Sequence, residues 1–211
     1  MTARKNGQKT KERILEVAAD LFANQGFYKT TVEEISRRAR CNIAAINYHF
    51  GSKANLYTET WRYIHHLCQP FYASHQPASD LPAEERLRGY IFFLLKILSN
   101  EDELEKLHML NLREFISPTG LVDDLWREMR EPLQRKLQAA IKEIKGPQAG
   151  HKDVEFCEKM VVDMCRGVLL PNRRHDQHFF EGLELTDEEL ERMADRYIRF
   201  CLPGIRSFCA G

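Results

Sequence analysis

Between Asn42 and Lys53 the chain reads Asn-Ile-Ala-Ala-Ile-Asn-Tyr-His-Phe-Gly-Ser-Lys. Wound into a helix, this run places Ile46 and Phe50 one turn apart on an inward face, which turns Ala44, Ala45, Asn47 and Tyr48 outward. The outward set suits a nucleic-acid surface. Alanines are small enough to let a helix backbone approach base edges, and an asparagine amide can pair with adenine through two hydrogen bonds. Tyr48 and His49 can donate to phosphate oxygens. Lys53 falls in the first turn of the following helix, where unsatisfied N–H groups already favour an anion.

The elements that must position these groups are legible in the spacing around them. Ile14, Val17, Ala18, Leu21 and Phe22 repeat at i, i+3, i+4, i+7 and i+8, which predicts a helix from Lys11 to Gln25, capped by Thr10 and stopped at Gly26. Thr31-Val32-Glu33-Glu34 has the form of a capping box and opens a short second helix, with Val32, Ile35 and Ala39 turned to the same core. Asn42 caps the third helix, Ile43 to about Phe50. Ser52 caps a fourth that runs to about His75, with Tyr57, Trp61, Ile64, Cys68 and Phe71 on one side. Two short helices joined by a few residues and crossed by a longer one make a helix-turn-helix.

Together these residues resemble the TetR family of transcriptional regulators. The likeness is carried by Ile14 to Phe22 with Gly26-Phe27, by Thr30-Thr31-Val32 and Ile35, and by Tyr48-His49-Phe50 followed by Lys53. It implies that Thr30 or Thr31, Tyr48, His49 and Lys53 hold the DNA backbone, and that Ile43, Ala44, Ala45 and Asn47 face base edges. Where the family usually has Gly-Val in the turn, this chain has Arg40-Cys41. A non-glycine residue forced to positive φ there is strained by about 1 kcal/mol. The position of Asn47 is often aromatic in the family, so the base preference of other members does not transfer.

Beyond Ala83 the apolar stripes lengthen: Leu87 to Leu98, Leu104 to Ile116, Leu121 to Ile144, Val154 to Leu170 and Asp187 to Phe208. Alternating strand patterns are absent. The expected class is all-α, with a three-helix DNA-binding domain over residues 1–52 and a larger helical ligand-binding and dimerisation domain over 53–211. The resemblance implies a homodimer through the last two long helices, Val154 to Leu170 and Asp187 to Cys201. Two recognition helices would then read a palindromic operator on double-stranded DNA, with half-sites about 34 Å apart or at another groove-matched spacing. A small-molecule effector is expected in the larger domain, with Phe92, Met109, Trp126, Met160 and Met164 as candidate lining and Arg113, beside Glu114 and Phe115, as a candidate polar contact. Leu112 to Thr119, followed by a helix broken at Pro132, resembles a subclass of the family that senses drug-like or aromatic compounds.

Composition narrows the alternatives. The 211 residues are 43% hydrophobic with no net charge, so a globular core is affordable and overall charge announces no partner. The distribution is lopsided: residues 1–60 hold 10 Lys and Arg against 6 Asp and Glu, and the remainder 21 against 25. No apolar run suits a membrane span, and a cytoplasmic protein is expected. The six cysteines, Cys41, Cys68, Cys157, Cys165, Cys201 and Cys209, lie in helical patterns without a CxxC pair. His175, Asp176 and His178 sit too close in sequence to supply a full metal site alone. No nucleophile elbow, phosphate-cradling glycine loop or HExxH helix occurs, so neither an enzyme nor a bound cofactor or metal is expected. A thiol- or metal-responsive regulator using Cys157, Cys165, His175 or His178, and an activator on the same scaffold, stand as alternatives.

Overall fold

The computed structural model describes residues 2–99, 103–169 and 186–208. Every regular element among them is an α-helix: α1 Thr2–Lys29, α2 Val32–Arg38, α3 Ile43–Phe50, α4 Lys53–His75, α5 Ala83–Ser99, α6 Glu103–Ile116, α7 Asp123–Lys145, α8 His151–Leu169 and α9 Asp187–Ser207. The chain is all-α, as its periodicity requires. Packing sorts it into two compact units, residues 1–70 with 101–129, and 71–100 with 130–211. The expected domain border at 52/53 falls inside the first. The loop holding His175 and His178, and Cys209, lie outside the described residues.

In the first unit the α1 stripe is the spine. Ile14, Ala18, Leu21 and Phe22 are buried, together with Ile35 of α2, Ile46 and Phe50 of α3, and Tyr57 and Trp61 of α4. Phe22 meets the Tyr57 ring edge-on at 4.8 Å between centroids, and large side chains buried in this way each contribute about 1.5–3 kcal/mol. Helix α6 packs on α1 through Leu104, Leu107 and Leu110, all buried, and through Lys106, whose amine lies 3.0 Å from Asp20.

The end of α1 departs from the helix that its stripe predicts. Gly26 adopts φ 81° and ψ 171°, a kink after which the helix resumes to Lys29. Carbonyls at the kink find outside donors: the Arg113 guanidinium of α6 donates to Ala23 and Asn24, and the Thr30 hydroxyl donates to Gly26 at 2.8 Å. Thr10 is not an N-cap, because the helix begins before it and its hydroxyl donates back to the Asn6 carbonyl. The capping box at Thr31 is half made. Thr31 accepts from the Glu34 amide at 3.1 Å, whereas the Glu34 carboxylate takes Gln25 and Arg38 as partners, a charged and an amide donor outweighing its own helix terminus.

The second unit is built on α5, α7, α8 and α9. Leu87, Tyr90, Ile91 and Leu95 meet Leu137, Ala140 and Ile141, Val154, Cys157, Val161 and Cys165, and Leu190, Met193 and Ala194 in one cluster. Arg88 on α5 donates to Glu191 and Asp195 on α9, each at 2.6 Å. Glu158 of α8 is buried, and a buried carboxylate requires donors. Arg130, Gln134 and Gln138, one per turn of α7, supply them at 3.1, 2.9 and 3.2 Å. Helix α7 is not broken at Pro132. The missing amide costs one helical hydrogen bond, but residues on both sides are anchored, Trp126 by its indole donation to Asn111 at 2.6 Å and Leu137, Ala140 and Ile141 in the core.

The backbone at Gly26 lies in a region open almost only to glycine. Gly26→Ala is expected to lower stability by about 1–3 kcal/mol, read as a drop in the urea midpoint with an unchanged slope.

Candidate nucleic-acid interface

Helix α3 is held by its two ends and by two side chains. The Asn42 carboxamide oxygen accepts from the Ala45 amide at 2.8 Å, and Gly51, at φ 73°, donates its amide to the Asn47 carbonyl at 2.9 Å. Ile46 and Phe50 are buried at 1% and 5% exposure, so the helix cannot roll about its axis without uncovering them. The opposite face is open. Tyr48 is 84% exposed and Ile43 40%; Ala44 and Asn47 are exposed, and Ala45 and His49 half-buried. A tyrosine so exposed has no packing role to play, and its ring stands edge-on to His49 at 5.1 Å.

The turn between α2 and α3 carries the strain its sequence implies: Arg40 sits at φ 48°, the one non-glycine positive φ among the described residues. A residue that the sequence reading missed secures that turn. Ser36, buried on the inner face of α2, donates its hydroxyl to the Cys41 carbonyl at 2.7 Å, and the Cys41 amide returns to the Ser36 carbonyl at 3.1 Å. A serine on an otherwise apolar face was the available signal.

Lys53 opens α4 with its amine 4.4 Å from the centre of the Phe27 ring, and desolvation by burial lowers its pKa below the ordinary lysine value. The ring fixes a cation that would otherwise swing on four rotatable bonds. Thr31 keeps an exposed hydroxyl at the start of α2. Thr30 does not join it: it is fully buried and bonded to Gly26, so the kink at the end of α1 takes the hydroxyl that was a candidate for phosphate.

The candidate effector residues fall in two groups. Met109, Arg113 and Trp126 belong to the first unit; Phe92, Met160 and Met164 belong to the second. Arg113 caps α1 as described, and its neighbour Glu114 accepts from the Tyr57 hydroxyl at 2.7 Å and from the Thr119 amide and hydroxyl at 2.9 and 2.8 Å. The charged pair that stood out on α6 therefore ties that helix to α1 and α4. Burial, then the Glu114 carboxylate, raises the Tyr57 phenol pKa. Met160 is 47% exposed on α8, as are Phe156 on the same helix (46%) and Phe200 on α9 (80%).

Cys68, Cys157 and Cys165 are poorly placed for redox chemistry. All three are buried, and burial pushes the Cys68 and Cys165 thiols up to about 12 and Cys201 up to about 11. No group of His, Cys, Asp and Glu able to hold a metal occurs among the described residues, nor is any described helix long and apolar enough to cross a membrane.

Residues 14–60 match the family model described as bacterial regulatory proteins, tetR family. Residues 83–205 match that of the C-terminal domain of the HTH-type transcriptional dual regulator CecR. The chain is 30% identical over 105 residues to the probable HTH-type transcriptional regulator YttP of Bacillus subtilis, covering 46% of this chain and 47% of that one. It is 28% identical over 145 residues to CecR of Shigella flexneri, covering 64% of each. These matches span less than two thirds of either relative. In fold, the chain is similar to a TetR-like transcriptional regulator from Rhodococcus sp. RHA1, with a TM-score of 0.64, 17% identity, and 92% and 96% of the two chains covered.

The buried thiols generate a pH dependence. Unfolded cysteine titrates near 8.5, so above that pH the folded chain binds more protons than the unfolded one. The stability is full below pH 8.5 and is lost as pH rises toward 12. Unfolding free energies from urea titrations at pH 7.5 and 10 should differ by about 1–2 kcal/mol for each of Cys68 and Cys165, and both should resist a thiol reagent until the chain unfolds.

Proposed function

Since the chain belongs to the TetR family of bacterial transcriptional regulators, we propose that it acts as a homodimeric repressor, released from a palindromic operator by a small-molecule ligand. The observation that carries the reading is α3 itself: a helix locked by Ile46 and Phe50 whose outer face bears Ile43, Ala44, Asn47 and a fully projecting Tyr48. Asn47 reads a base edge and Ala44 and Ala45 admit the backbone to the groove, while Thr31, Tyr48, His49 and Lys53 hold phosphates. No basic residue except His49 lies on α3, so specificity and backbone attraction are assigned to different residues.

Dimerisation is assigned to α8 and α9. Much of the apolar stripe of α9 serves the chain's own core: Leu190, Met193 and Ala194 are buried there. What remains for a second copy is Phe200 with Phe156 and Met160, large apolar groups whose exposure marks an interaction surface. Ligand binding in the larger domain acts on the separation of the two recognition helices through α4. That helix runs unbroken from Lys53, beside the reading head, to His75, and its residues divide between the two units at Pro70. A coupling of about 1–3 kcal/mol is sufficient to change promoter occupancy severalfold. The likeness to CecR, a dual regulator by its description, favours a second reading in which the same bound dimer activates some promoters. The protein is assigned to the cytoplasm, where its DNA lies.

Binding to the DNA upstream of its own gene, measured by fluorescence anisotropy against a shuffled-sequence duplex, tests this reading. Asn47→Ala is expected to cost about 1–3 kcal/mol of preference for the upstream fragment. His49→Ala with Lys53→Ala should weaken binding to both duplexes and lower the salt slope by about one for each phosphate no longer held. Equal affinity of the native protein for both duplexes would refute it. Phe200→Asp should shift sedimentation from dimer to monomer while the helical circular dichroism persists; an unchanged dimer would move the interface elsewhere.

A further inference from the structure

The basic excess of the front of the chain has a narrower origin than the DNA-binding module. Residues 1–11 contain Arg4, Lys5, Lys9 and Lys11 and no acidic residue, whereas residues 12–60 hold 6 Lys and Arg against 6 Asp and Glu. The helix-turn-helix proper is neutral. Yet DNA affinity is carried mainly by cations that neutralise phosphates, and α3 contributes no lysine or arginine.

Helix α1 extends through this cationic segment, from Thr2 onward, and residues 6–13 precede Ile14 without being buried. Nothing lies within 4 Å of a Cβ built on Gly7, and Asn6, Gln8 and Lys9 are exposed. Residues 6–13 therefore lie outside the core. Lys5, Lys9 and Arg13 recur at every fourth residue, on successive turns of one side of the helix. Lys9 and Arg13 are exposed, and neither has a carboxylate partner among the described residues, in contrast to Lys106, Arg130, Arg135 and Arg192 further along the chain. Lys11 joins the segment to the reading head. Its amine lies 5.8 Å from the centre of the Phe50 ring, at the end of α3, and 3.8 Å from Glu59 of α4.

We propose that this N-terminal extension of α1, residues 4–13, is a second DNA-contacting element that binds phosphates flanking the half-site read by α3. It rests on the DNA-binding reading and deepens it. The occupant is the DNA backbone, chosen by charge complementarity and by the Lys11 contact with Phe50 at the end of α3. The recognition helix then supplies discrimination while the extension supplies the attraction that α3 lacks. Being directed at phosphates, it strengthens binding to any sequence and leaves the ratio between sequences unchanged.

The test compares the native chain with a variant carrying Arg4→Gln, Lys5→Gln and Lys9→Gln, on the upstream fragment and on the shuffled duplex, across a range of salt concentrations. The expected result is a fall in the slope of log affinity against log salt of about 2–3 per protomer. Affinity for both duplexes should weaken at least about tenfold near physiological salt, with an unchanged ratio between them. A chain starting at Thr10 should behave alike, and thermal melting by circular dichroism should match the native chain in both cases, since Ile14 and the core residues after it are retained. Native slope and affinity in the variant overturn the inference and leave the regulator reading intact. A loss confined to the upstream fragment overturns it as well, by assigning the segment to base reading. A native protein without salt-dependent binding to either duplex removes both readings together.

Discussion

The kink at Gly26 is the constraint on which the reading head depends. A helix that continued straight past Gln25 would carry Phe27 and Thr30 away from the positions they hold. Turned by Gly26, the chain stacks Phe27 under the Lys53 amine and buries Thr30 against the Gly26 carbonyl. It also presents the Ala23 and Asn24 carbonyls to Arg113. One unusual backbone conformation thus connects α1 to the first turn of α4 and to the end of α6.

That connection makes the first unit more than a three-helix module. Helix α6, some fifty residues downstream of α3 in the chain, packs on α1, and its consecutive Arg113 and Glu114 grip α1 and α4 by different chemistry: a guanidinium on helix-end carbonyls, and a carboxylate under the Tyr57 hydroxyl. Charged hydrogen bonds of this kind are directional, so a displacement of α6 is felt at both helices rather than absorbed. The second unit is organised differently. Its apolar cluster is bordered by ion pairs between helices, Arg86 with Glu143, Arg88 with Glu191 and Asp195, and Arg206 with Glu84, while the buried Glu158 takes three donors from α7.

How the head presents its recognition helix follows from ordinary local rules. The caps at Thr31, Asn42 and Ser52 form as their residue types require, and α3 faces outward because Ile46 and Phe50 can only face inward. Local rules failed where a side chain had a choice of partners. Glu34 prefers Gln25 and Arg38 to the terminus of its own helix; Thr10 bonds back to Asn6 within a helix already under way. Pro132 costs α7 a hydrogen bond without ending it.

From the sequence alone came the helical class, the stripes that became α5 to α9, the inward and outward faces of α3, and the strained turn at Arg40. All of these depend on contacts a few residues apart, where spacing is a reliable guide. Only the tertiary structure decided that α6 joins the reading head, that Arg113 closes a helix end instead of standing free for a ligand, and that Thr30 is buried while Thr31 is not. It also decided that much of the α9 stripe is used within its own chain. Each of those outcomes rests on partners roughly fifty to a hundred residues away, or on a kink whose direction spacing does not encode. Periodicity can say which face of a helix is apolar, but not which neighbour will cover it.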